Sequence, residues 1–198
     1  MAQNIERGYI QIYTGNGKGK TTAAIGLAIR ALGAGKRVLF LQFMKQATYS
    51  EHKVLKDLSP RLKIVTLGKP YFIARRDQIS PEAAAAMGNQ IVVFEPGKPP
   101  ADYVALINKG LSLAREALMG QSYDLVVLDE LCVVLHLGLA DVQEVLAMLK
   151  ERQGPAEVVI TGRGAPPELL NYADLVTEMR EVKHYYHQGV PARTGIEN

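Results

Sequence analysis

Between Thr14 and Thr22 the chain reads Thr-Gly-Asn-Gly-Lys-Gly-Lys-Thr-Thr, three glycines alternating with polar residues before a lysine and two hydroxyls. Gly15, Gly17 and Gly19 lack a Cβ, so backbone N–H groups in this turn can curl towards phosphate oxygens. Lys20 supplies a point charge, and Thr21 an oxygen suited to a magnesium ion carried by a nucleotide. With Asn16, Lys18 and Thr22 beside them, these residues read as a phosphate cradle. The common nucleotide loop, G-x-x-x-x-G-K-[ST], has glycine where this chain has Thr14. Measured from Gly15 the loop is one residue short, and it carries the additional Lys18. A shorter, more basic loop suits a phosphate pose unlike that of a kinase.

A second group with chemistry to offer is Asp129-Glu130, which ends the apolar run Leu125-Val-Val-Leu128. One carboxylate can hold magnesium, or a water on it, together with Thr21; the other can orient that water or the hydroxyl. Arg163, in Thr161-Gly-Arg163, follows another apolar run. Its guanidinium can grip phosphate in a fork, or pair with Asp174 or Glu178; both readings stay open. Lys45 follows Val38–Phe43 and faces either a substrate or solvent. His52, His136, His184 and His187 are scattered. The last two, three apart in an extended segment, would point to opposite faces and do not suit a shared metal.

These residues need a scaffold that gathers strand ends. Tyr9–Tyr13 alternates as a strand does. Thr21–Leu32 is apolar almost all round, as in a helix buried between a sheet and another layer. Val38–Phe43 is a continuous apolar run of the kind buried on both faces of a parallel sheet. Helices over 49–58, 102–118 and 141–152 alternate with strands over 62–67, 157–160 and 175–182. Gly68–Ile79 reads as a loop mixing aromatic and basic residues, fit for a large amphipathic ligand, and Ile91–Phe94 as an edge strand or packed loop. The pattern predicts one α/β domain over 1–198, a mostly parallel sheet with helices on both faces, and ligands beyond the carboxyl ends of the strands.

Composition bounds the partners. A formal charge of +3 without any basic run gives no footprint for nucleic acid. One cysteine, Cys132, excludes an internal disulfide framework and a cysteine-based zinc site. The most apolar run, 125–140, is interrupted by charge and too short to span a membrane. A soluble, cytoplasmic chain is expected.

Gly15–Thr22, Gln42-Phe-Met-Lys45, Leu128-Asp-Glu130, Thr161-Gly-Arg163 with Ala165-Pro-Pro167, and Ala173–Met179 together resemble the ATP:corrinoid adenosyltransferases of the P-loop class, from about Tyr9 to Glu197. The resemblance implies a RecA-like sheet, a homodimer, and transfer of the 5′-deoxyadenosyl group of ATP to the cobalt of a corrinoid, releasing triphosphate. It implies that Lys20 and the loop amides hold the triphosphate and that Thr21 and Glu130 bind Mg2+. It also implies a supply of Co(I) by reduction, for which a flavoprotein reductant is expected. The chain departs from the family in having no Trp and only about seven residues of N-terminal arm. Tyr71 and Phe72 are the candidates for the aromatic wedge against the corrinoid.

Overall fold

The computed structural model of the chain describes residues 7–197. The N-terminal arm, expected to border the corrinoid, lies outside the described residues apart from Arg7.

Six strands form one all-parallel sheet in the order β3-β2-β6-β7-β1-β8. They are β1 (Ile10–Thr14), β2 (Val38–Phe43), β3 (Leu62–Leu67), β6 (Leu125–Asp129), β7 (Glu157–Thr161) and β8 (Leu175–Glu178). Two further short strands, β4 (Phe72–Arg75) and β5 (Ile91–Phe94), pair in parallel as a separate ribbon. The helices are α1 (Lys20–Gly33), α2 (Ser50–Leu58), α3 (Pro81–Met87), α4 (Ala101–Gly120), α5 (Leu131–His136), α6 (Val142–Glu151) and α7 (Pro167–Tyr172).

Strand alternation divides the core in two. Val126 and Leu128 join Ile10, Ile12, Leu39, Leu41, Val158 and Ile160 on the face covered by α4, α5 and α6. Leu125 and Val127 join Val38, Phe40 and Val159 on the opposite face, against α1. Side chains two apart on a strand share a face, so one five-residue run serves both layers. Both faces are covered, as a sheet made only of parallel strands requires.

Three expectations are corrected. The helix after the glycine loop is not buried all round: Ala24, Ala28 and Ala31 face the sheet, while Ile29 is 50% exposed. Its small residues do the packing, so an apolar count does not tell inside from outside. The segment read as a loop over 68–79 contains β4. The last strand ends at Glu178, four residues early, because the chain turns there to wall the glycine loop. Among the described residues, no helix is long and apolar enough to cross a membrane.

Candidate active site

The sheet's carboxyl edge gathers the residues singled out above. β1 delivers the loop, and Gly15 (φ 92°) and Gly19 (φ 116°) adopt left-handed conformations that favour glycine. A Cβ at Gly15 would lie 2.5 Å from the Met179 carbonyl oxygen, and one at Gly17 2.7 Å from it. The Gly17 N–H donates to that same oxygen at 2.7 Å, so this amide anchors the loop to the end of β8. That corrects the expectation that it turns towards phosphate. In α1, Ala23 makes the first helical bond, to the Gly19 carbonyl at 2.7 Å. The amides of Lys20, Thr21 and Thr22 therefore stand at the helix's open, positive end.

The buried Lys20 ammonium donates to the carbonyls of Gly15 and Gly17, each at 2.7 Å. Burial, and then the nearby Arg163 charge, hold its pKa below the usual lysine value. A lysine held near a second positive charge favours a polyanion beside it. Lys18 is exposed and donates to the Ile196 carbonyl at 2.9 Å.

Asp129 is the hub of the site and has no exposed surface. Its Oδ1 accepts from the hydroxyls of Thr21 (2.9 Å) and Thr161 (2.6 Å). Its Oδ2 accepts from Lys45 Nζ (2.9 Å) and Gln42 Nε2 (3.1 Å). Lys45 Nζ also donates to Thr21 Oγ1 at 2.9 Å. Burial works against the Lys45 charge, but Asp129 and then Glu130 outweigh it and raise the pKa. The Gln42 amide is turned by buried His52, whose Nε2 bonds its Oε1. Strand β7 lies between the loop's strand and the strand bearing Asp129, and Thr161 on it bridges the two.

Glu130 takes a left-handed conformation (φ 63°), with its N–H donating to Thr161 Oγ1 at 3.0 Å. Its carboxylate makes no hydrogen bond or ion pair among the described residues. Burial, and then Asp129, raise its pKa. Arg163 is exposed just beyond the end of β7. Asp174 instead accepts from the Ile10 N–H (2.8 Å) and Glu178 pairs with Arg180 (3.7 Å), so the alternative salt bridges to Arg163 do not form.

A cavity of about 890 Å³ is bordered by Gly17 to Thr22, Lys45, Tyr49, Glu130, Arg163 and the tail residues Gly195 to Glu197. Gly15 and Asn16 do not line it. A second cavity of about 500 Å³ adjoins it through Tyr49 and Ser50 and is lined by Met44, Gln46, Tyr71 and Phe72. Phe72 is 56% exposed there, whereas the Tyr71 hydroxyl is tied to Asp102 at 2.9 Å. His184 caps a short 3-10 turn, Tyr185–Gln188, and His187 lies within it, so the two are not in an extended segment. Among the described residues no group of three or more His, Cys, Asp or Glu side chains suits a metal. Sequence reasoning gave no role to Gln42, His52 or Thr161. Gln42 and Thr161 stand in motifs quoted above, but His52 has no signal of its own.

The comparisons with known proteins agree with this arrangement. Residues 6–198 match the family model described as ATP:corrinoid adenosyltransferase BtuR/CobO/CobP. The corrinoid adenosyltransferase CobA of Salmonella typhimurium is 36% identical over 97% of this chain and 86% of its own. The corrinoid adenosyltransferase of Escherichia coli is 34% identical over the same shares. That of Pseudomonas aeruginosa is 33% identical over 97% of this chain and 84% of its own. Glycine loop, carboxylate hub and near full-length similarity concur: the chain belongs to the ATP:corrinoid adenosyltransferase family.

Proposed function

We propose that this chain transfers the 5′-deoxyadenosyl group of ATP to the Co(I) of a corrinoid, with triphosphate as the leaving group. The observation that carries the reading is a cavity at the glycine loop, lined by Lys18, Lys20, Lys45 and Arg163, beside a second cavity with aromatic walls. ATP occupies the first with its triphosphate on Lys20, Lys18, Arg163 and the α1 amides. The corrinoid occupies the second, against Phe72 and Tyr71. The Co–C5′ bond forms as the C5′–O5′ bond breaks, and both electrons of the broken bond leave with the triphosphate oxygen. Co(I) is itself a strong nucleophile, so no side chain need act as base. The protein's contribution is alignment of C5′ with cobalt and a place for the charge that departs.

The donor set suits Mg2+. Thr21 Oγ1 and Asp129 Oδ2 already share a cation, the Lys45 ammonium, at 2.9 Å from each. Thr21, Asp129 and Glu130 would hold the metal, which when bound would offset triphosphate charge. Glu130 and Arg163 flank the polyphosphate from the β6 and β7 ends. A homodimer fits the exposed apolar edge strand β8, a flavoprotein supplies electrons for Co(II), and the protein works in the cytoplasm.

The test is product analysis. Purified protein with ATP and chemically reduced corrinoid should yield an alkylated corrinoid, read from its visible spectrum, and triphosphate in equal amount. ADP as the phosphate product would instead indicate a phosphotransferase. Lys20→Ala should keep the fold, by circular dichroism, and lower turnover by about two orders of magnitude or more. Near-normal turnover in that folded variant would remove Lys20 from the mechanism.

A further inference from the structure

The carboxylate of Asp129 has about four acceptor positions, and four donors fill them: Thr21, Thr161, Gln42 and Lys45. A divalent cation can reach Asp129 only if one donor leaves. Three are fixed. Thr161 is buried on β7, Gln42 is fully buried and clamped by His52, and Thr21 sits in the first turn of α1. Lys45 differs from them: it follows β2, has a flexible four-carbon stem, and lines the nucleotide cavity with 12% of its side chain exposed.

We propose that Lys45 is a tethered cation seated in the metal position, and that a divalent ion binds Thr21 and Asp129 only by displacing it into the cavity. The geometry leaves little choice. A metal about 2.1 Å from either oxygen would lie no more than about 5 Å from an ammonium that is 2.9 Å from both. Two positive charges at that distance repel strongly in a site this dry. The displaced ammonium has somewhere to go: the Tyr49 ring, its centroid 5.5 Å from Nζ, forms part of the cavity wall. Metal-free protein thus keeps the hub neutralised, and metal entry releases one positive charge towards the polyphosphate.

The inference rests on the magnesium part of the proposed function, and its test uses metal without nucleotide or corrinoid, so failed adenosyl transfer leaves it intact. Mn2+ titrated into nucleotide-free protein is followed by electron paramagnetic resonance of the free ion. Lys45→Met, its fold checked by circular dichroism, should bind Mn2+ about tenfold more tightly than the natural protein or better. A merely structural lysine predicts the opposite sign, and equal or weaker binding by the folded variant overturns the proposal. Should the variant not fold, the natural protein decides: acetylation of Lys45, read by mass spectrometry, should rise saturably with Mg2+ and not with matched sodium chloride. Protection of Lys45 at every Mg2+ concentration overturns it.

Discussion

Asp129 concentrates more consequence than any other side chain of the site. It is fully buried, and its partners come from β2, α1, β7 and the segment after β2. Asp129→Ala should destabilise the fold by about 3–5 kcal/mol, because it removes the Lys45 counter-ion and the shared acceptor of Thr21, Thr161 and Gln42; urea unfolding measures this. Cys132 is the converse case, close to the chemistry but inert. Burial, and then Glu130, push its thiol up to about 12. A thiol reagent at pH 8 should leave it unmodified in folded protein and label it fully in denaturant. The Gly15–Gly19 turn into α1 was legible because closely spaced glycines run into Lys-Thr and an apolar segment. His52 was not, because a lone histidine acquires its role only when the sheet sets α2 against β2.

At the level of elements, α4 lies close on the sheet because Gly110 has no side chain. A Cβ there would come within 2.5 Å of Leu67 Cδ1 and Phe43 Cε1. Gly110→Ala should therefore cost about 1–3 kcal/mol by overpacking, seen as a lower Tm, while nucleotide affinity is little changed. The long elements were readable from periodicity: β2 is buried at all six positions and α6 buries one face. The short ones were not. α5 has six residues, too few for a helical period to show, and begins directly after the left-handed Glu130. β4 has only four residues, among Pro and basic positions that read as a loop.

Across the whole molecule, the C-terminal tail folds back onto the first loop. Arg193 and Tyr185 both bond the Glu197 carboxylate, and Arg193 stacks 4.9 Å over the Tyr185 ring. Arg193, then Tyr185, hold the Glu197 pKa down at about 2, from an ordinary value of 4.5. A lowered carboxylate pKa means that the ionised form is favoured in the fold. The clasp's contribution is thus complete above pH 4.5 and is lost as pH falls through about 2. Hydrogen exchange in residues 190–197 should be nearly constant above about pH 5 and accelerate progressively as pH falls from 4.5 to about 2, once intrinsic rates are divided out; Glu197→Gln should remove that protection at pH 6. The anchoring of Gly17 on Met179 also bears on how the protein is made. A ribosome that has synthesised the first 170 residues has already extruded the glycine loop but has yet to supply its rear support. Such a nascent chain should be unable to retain ATP until Met179, whose carbonyl anchors Gly17, has emerged and folded back.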